Sequence, residues 1–162
     1  MASNSAEILH KGFETLQHLD AKIALISTEW NYEINQKLIA GAKEIFSSCK
    51  NIELVEFEVP GAVEIPFAIN QCIENEIADA YIAFGCVIKG ATPHFEYVCK
   101  ILTDSIALLN VDENEPIIFG VLTVNNEEEA FERLGGKHGH KGKEAAMAAL
   151  KMIDFYRKIN DL

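Results

Sequence analysis

The chain predicts an α/β fold in which helices cover both faces of a four-stranded parallel sheet, and three observations carry that expectation. Four apolar runs, at 22–28, 52–59, 80–88 and 116–124, have the length of strands. The last two are almost continuously apolar, as in strands buried on both faces. A helical pattern follows each run, and such alternation implies parallel strands joined by right-handed crossovers.

Each element has its own signal. The second strand alternates Ile52 and Leu54, then Val55, Phe57 and Val59, with glutamates between them. After the first strand, Ile34, Leu38, Ala42, Ile45 and Phe46 recur at helical spacing. A shorter helix is expected over 65–76. Phe95, Val98, Leu102, Ile106 and Leu109 form a stripe for a third helix, with Thr92 as its N-cap and Pro93 at its first position. After the fourth strand comes a short acidic helix over 126–133, capped by Asn126 or Asn125. A glycine-rich link, 134–139, leads to a last helix with the stripe Ala145, Ala148, Ala149, Met152, Tyr156 and Ile159. Residues 1–20 read as an N-terminal arm, loosely held or added as an edge strand, and 21–162 as one domain. The expected architecture is a three-layer α/β/α sandwich of the flavodoxin-like kind.

Composition narrows the function classes. A chain of 162 residues suffices for one domain with a real core. The formal net charge of −11 argues against nucleic acid or an anionic membrane as partner. No apolar run has the length of a membrane span, and the first 20 residues lack the pattern of a secretory signal. Cys49, Cys72, Cys86 and Cys99 show no paired spacing and read as reduced thiols of a cytoplasmic protein.

In sheets of this kind ligands bind beyond the carboxyl ends of the strands. That rule selects Glu29-Trp30-Asn31, Pro60-Gly61-Ala62-Val63-Glu64, the turn from Lys89 to His94, and the loops after Thr123. The third is the most telling. His94 falls in the opening turn of a helix, beside unpaired N–H groups that suit an anion, and a histidine carries protons near neutral pH. The glycines Gly85 and Gly90 have the spacing of a phosphate loop, but Ala91-Thr92 stands where that loop needs Lys-Ser/Thr, so a P-loop is rejected. No metal spacing is present; His138 and His140 read as solvent-facing. Trp30 is either a packing residue or a flat surface for a planar heterocycle. Glu64 is either a helix-start acid in a rigid turn or an oriented acceptor. Arg133, Lys137, Lys141 and Lys143 read as a solvated basic patch, with Arg133 placed to bind phosphate bidentately.

Together these segments resemble the lumazine synthases. The resemblance rests on Trp30-Asn31, the run from Pro60 to Pro66, 85–98, the run from Phe119 to Thr123, and Glu129-Ala130-x-x-Arg133 leading to Lys141-Gly142-x-Glu144-Ala145-Ala146. It covers roughly residues 20 to 158. It implies a cofactor-free condensation without a metal, in which 5-amino-6-(D-ribitylamino)uracil and 3,4-dihydroxy-2-butanone 4-phosphate give 6,7-dimethyl-8-ribityllumazine, the penultimate step of riboflavin biosynthesis. The resemblance makes His94 the proton-transfer residue. It assigns the pyrimidine and ribityl site to Trp30, Asn31, Ala62, Val63, Glu64, Cys86, Val87 and Ile88, and phosphate to Ala91, Thr92 and Arg133. Phe119 and Arg133 would come from a neighbouring subunit, with Lys141 supporting that side. The implied partners are small-molecule substrates, further copies of the chain in pentamers, decamers or sixty-subunit shells, and riboflavin synthase. His140 departs from the family pattern, which often has asparagine there. A catalytically inactive cage-forming or flavin-binding relative is the competing expectation.

Overall fold

The computed structural model describes residues 12–162. The elements are α1 (Phe13–Leu16), β1 (Asp20–Thr28), α2 (Tyr32–Phe46), β2 (Asn51–Val59), a 3-10 turn (Ala62–Glu64), α3 (Ile65–Glu74), β3 (Ala80–Ile88), α4 (His94–Asp112), β4 (Ile117–Val124), α5 (Glu127–Phe131), a two-stranded hairpin of β5 (Leu134–Gly136) and β6 (Gly139–His140), and α6 (Lys141–Asn160). Strands β2-β1-β3-β4 form one parallel sheet in that order. This is the predicted α/β sandwich, and all four predicted strands are present.

The alternation of side chains along each strand builds two cores. Ile23, Leu25, Ile82 and Phe84 face α2 and α6, packing on Leu38, Ala42, Ala146 and Leu150. Ala24, Ile26, Tyr81 and Ala83 face the other way, against Ile65 and Ile69 of α3 and Leu102 and Ile106 of α4. The chain leaves β1 for β2 in one direction and β3 for β4 in the other. The switch point therefore lies between the carboxyl ends of β1 and β3, where doubly wound sheets bind ligands.

Helices α2 and α6 lie unusually close. A Cβ on Gly142 would sit 2.0 Å from the Leu38 carbonyl oxygen, and a Cβ on Gly41 would sit 2.1 Å from His140 Cε1. Only glycine permits that approach.

Four expectations need correction. Helix α4 begins at His94, with Pro93 in the cap position and no side-chain cap; the Pro93 carbonyl accepts from Glu96 and Tyr97, so Thr92 stands one residue outside the cap. The buried face of α6 is Gly142, Ala145, Ala146, Met147, Ala149, Leu150 and Ile153, while Met152, Tyr156 and Ile159 are exposed. The glycine-rich link is the β5–β6 hairpin, turned by the left-handed Gly139. His140 is not solvent-facing: its ring lies against α2, and its Nδ1 is buried without a partner. Of the arm expected over 1–20, residues 1–11 lie outside the described residues; among the rest, Leu16 joins the core and Asp20 opens β1. Among the described residues no helix is long and apolar enough to cross a membrane, and no group of acids, histidines and cysteines has metal-site geometry.

Candidate active site

Three loops meet at the carboxyl rim of β1, β2 and β3. The β1 loop is Glu29-Trp30-Asn31. The Glu29 N–H donates to the Val59 carbonyl at 2.9 Å, which ties this loop to the end of β2. Asn31 adopts a left-handed conformation with φ 59°, one that asparagine tolerates better than most residues. Its Nδ2 donates to the Cys86 carbonyl at 2.7 Å, across the switch point to β3. The Trp30 ring projects from this braced loop and is 74% exposed.

The β2 loop enters through Pro60-Gly61 and tightens into the 3-10 turn of Ala62, Val63 and Glu64. Val63 and Glu64 are exposed and Ala62 is half-buried. Pro66 follows in the first turn of α3, where its missing N–H breaks no helical hydrogen bond.

The third loop leaves β3 at Cys86-Val87-Ile88. Burial pushes the Cys86 thiol up to about 11, so it stays protonated near neutral pH and is no thiolate nucleophile. The chain then passes Lys89, whose N–H donates to the Val124 carbonyl at 2.9 Å. Lys89 Nζ lies 3.3 Å from Glu96 Oε1. The Glu96 carboxyl is held below its ordinary range, by its own backbone N–H first and by Lys89 second. This pair closes the loop onto the first turn of α4. Ala91, Thr92 and His94 are exposed, and their backbone N–H groups have no partner among the described residues. The arrangement offers anion-binding amides next to an imidazole.

Phe119, Arg133 and Lys141 lie elsewhere. Phe119 is in mid-strand on edge strand β4, opposite Ala83, so it sits about 16 Å along the sheet from the rim at Val124. It lines a hollow of about 300 Å³ together with Leu122, Lys141, Glu144, Ala145 and Ala148. None of Trp30, Glu64 and His94 lines that hollow. Lys141 Nζ pairs with Glu144 Oε2 at 2.5 Å. Arg133 follows α5, and its Nη1 donates to the Glu129 carbonyl at 2.7 Å. The Asn126 side chain caps α5 by accepting from the Glu129 N–H at 2.9 Å, as the sequence predicts. The Lys141 N–H donates to the Arg133 carbonyl at 2.9 Å, which ties the start of α6 to Arg133. Two of the four basic residues of the patch are paired with acids, Lys143 with Glu44 at 2.6 Å and Lys141 with Glu144.

The fold thus brings Trp30, Asn31, Ala62, Val63, Glu64, Cys86, Val87, Ile88, Ala91, Thr92 and His94 to one rim. It leaves Phe119 and Lys141 at a second place on the same chain. One supporting residue escaped the sequence reading, and a second was named there only as part of a motif. Asn35 braces the Trp30 loop from α2, and its only signal is an amide among the apolar residues Ile34 and Leu38. Glu129 accepts from the N–H and side chain of Asn125 and so anchors the start of α5. The Asn-x-x-Glu spacing at Asn126 and Glu129 hinted at it.

Comparison with known proteins gives the same segments a common origin. The family model for 6,7-dimethyl-8-ribityllumazine synthase matches residues 20–157. The chain is similar to the 6,7-dimethyl-8-ribityllumazine synthase of Bdellovibrio bacteriovorus, with 44% identity over 138 residues, covering 85% of this chain and 76% of the relative. It is similar to that of Bacteroides fragilis, with 43% identity over 141 residues, covering 86% and 99%. A third relative, from Porphyromonas gingivalis, is 44% identical over 142 residues, covering 85% and 87%. The chain belongs to the 6,7-dimethyl-8-ribityllumazine synthase family.

Proposed function

We propose, with family membership as the premise, that this protein condenses 5-amino-6-(D-ribitylamino)uracil with 3,4-dihydroxy-2-butanone 4-phosphate to 6,7-dimethyl-8-ribityllumazine, at sites each assembled from two subunits. The observation that carries this reading is the meeting of Trp30, Glu64, the Cys86–Ile88 backbone and His94 at the switch-point rim, each from a different part of the chain.

The residues suit the chemistry. Trp30 offers an exposed ring on which the pyrimidine stacks. Ala62, Val63 and Glu64 receive the ribityl chain, with Glu64 as acceptor for hydroxyl groups. Backbone groups of Cys86, Val87 and Ile88 pair with the polar edge of the heterocycle, and Asn31 closes the same side. The phosphate of the second substrate sits on the N–H groups of Ala91 and Thr92. The amine adds to the ketone, and loss of water gives an imine. Proton removal beside that imine expels phosphate, and attack of the ribitylamino nitrogen on the carbonyl then formed closes the ring with loss of a second water. No electrons are transferred, so what the side chains supply is binding and proton movement, and His94 is the residue placed to take and return protons.

A single chain holds only half of the site. Phe119 and Arg133 belong, in this reading, to the neighbour that covers the rim, with Arg133 completing the phosphate site and Lys141 supporting it. The separate hollow at Phe119 and Lys141 favours such an arrangement, as does the exposed apolar row Tyr97, Ile101, Leu108 and Val111 on α4. Head-to-tail contacts of this kind close into rings.

The first test is direct: mix both substrates with purified protein and follow lumazine absorbance and phosphate release. No product overturns the reaction. The second test is complementation. His94→Ala and Arg133→Ala chains are unfolded, mixed equally and reassembled. In a random ring roughly a quarter of interfaces would pair two intact faces, so activity should rise well above either parent. A mixture that gives only the parents' average would refute the shared site.

A further inference from the structure

Asn35 is one of three buried polar side chains among the described residues, with Ser27 and Thr28. It lies on the inner face of α2 and is 1% exposed. Its Nδ2 is 2.7 Å from the Thr28 carbonyl oxygen, 2.8 Å from Thr28 Oγ1 and 2.8 Å from the Trp30 carbonyl oxygen. The Thr28 hydroxyl also donates to the Trp30 carbonyl, at 3.0 Å. Two carbonyl oxygens therefore face Nδ2. A flipped amide would set oxygen against both, so the orientation is fixed by its surroundings. The other end of the amide has no partner among the described residues: Oδ1 is buried and accepts from none of them.

The unpaired Oδ1 carries a desolvation cost, set against the three contacts of Nδ2; an apolar side chain of the same shape would remove that cost but take this donor from the Thr28 and Trp30 carbonyls. What the amide does is grip the backbone of Trp30. The Trp30 ring is largely exposed, so its direction is inherited from its main chain. That main chain is held on its carbonyl side by Asn35 and Thr28, and on its amide side only by a long 3.4 Å hydrogen bond to Pro60.

We propose that Asn35 is a positioning residue that fixes the aromatic platform of Trp30 for the pyrimidine substrate. The proposal rests on the reaction assigned above. Asn35 touches no substrate; it acts through Thr28 and Trp30.

The test uses the assembled full-length protein. Trp30 is the sole tryptophan, so its fluorescence anisotropy reports the platform alone. Asn35→Leu keeps the size and removes the donors. It should lower Trp30 anisotropy in the substrate-free protein. It should also raise the KM for the pyrimidine by about tenfold, the worth of a lost hydrogen-bond pair. The KM for the butanone phosphate should move by less than about twofold. In a Trp30→Ala background the same change should add nothing, since the grip then has no ring to aim. Asn35→Ser, which retains one donor on a shorter arm, is measured alongside and decides the matter should the leucine variant fail to fold; it should show the same changes in weaker form. Unchanged anisotropy overturns the proposal. So does an equal rise in both KM values, or the full pyrimidine effect persisting without Trp30. If wild-type protein makes no lumazine, the assigned reaction fails instead, while anisotropy still judges the grip.

Discussion

Replacing Gly142 by alanine sets two effects of opposite sign against each other. Gly142 is buried in the first turn of α6. An added Cβ would lie 2.0 Å from the Leu38 carbonyl oxygen, 2.8 Å from its carbonyl carbon and 3.0 Å from its Cα. The obstacle is helix backbone, which has no rotamer to change. A carbon–oxygen contact needs about 3.3 Å, so α6 must move off α2 by on the order of 1 Å. A gap of that size forfeits about a quarter to a half of each dispersion contact along the seam. Overpacking costs about 1–3 kcal/mol, and backbone against backbone belongs at about the upper end. Alanine in a helix is worth about 1 kcal/mol over glycine in the other direction. The net expectation is a loss of about 2 kcal/mol, which in a chain of this size lowers Tm by about 4–8 °C. Thermal unfolding followed by circular dichroism, at one protein concentration and pH, measures it. Gly90→Ala is the control, because an added Cβ there meets nothing within 4 Å. A Gly142→Ala Tm equal to or above wild type would mean that propensity outweighs the clash, and the account of the α2–α6 seam would be wrong.

Three further outcomes are expected. His94→Ala should fold normally and lose on the order of 10²-fold or less in turnover, because one acid–base group contributes about 10²–10⁴ and water substitutes in part; unchanged turnover at saturating substrate removes His94 from the chemistry. Arg133→Ala should raise the KM for the butanone phosphate far more than that for the pyrimidine, with Arg133→Lys restoring only part because a point charge lacks the bidentate fork; equal effects on both would return Arg133 to the surface. Burial, and then the Lys143 charge, holds the His140 imidazole below the ordinary histidine value of about 6.5, so the unfolded chain binds the proton more readily and stability should fall as pH drops through that value toward the lower folded one. His140→Asn should flatten that part of the stability–pH curve, and an unchanged slope would assign it to other groups.

The sheet was legible because strands buried on both faces leave no ambiguity of phase. Ala80–Ile88 is apolar at nearly every position, and both faces of it are core. Helix α6 was harder. Ala145, Ala146, Ala148 and Ala149 surround its axis, so hydropathy gives little contrast there, and the large residues Met152, Tyr156 and Ile159 drew the predicted stripe onto an exposed face. The start of α4 was misread by one residue, because proline fits the cap and the first helical position almost equally well. The rim was legible from one rule, that ligands lie beyond carboxyl strand ends. Asn35 was not, since a buried amide is recognised only by what it touches. His140 was misread for a similar reason: nothing in the local sequence announces that Gly41, a hundred residues earlier, makes room for its ring.

The rim and the β4 hollow are joined through the sheet, where β3 pairs with β4, and a second time through the seam between α2 and α6. Helix α2 starts directly after Trp30 and Asn31, and its first turns carry Asn35. Helix α6 starts at Lys141, whose N–H holds the Arg133 carbonyl. Between those starts the helices touch at Leu38 against Gly142 and at Gly41 against His140, and the Lys143–Glu44 pair lies along the same seam. In the ring proposed above, the rim of one subunit meets the Phe119 and Arg133 face of the next at a fixed spacing, repeated at every interface. That spacing depends on how far the rim and the β4 hollow of each chain stand apart. The β3–β4 pairing fixes that distance for Phe119, while the close approach at Gly41 and Gly142 fixes how α6, and Lys141 at its start, stands against α2. Under the shared-site proposal the seam enters the active site's geometry through Lys141, although no atom in it needs to touch a substrate.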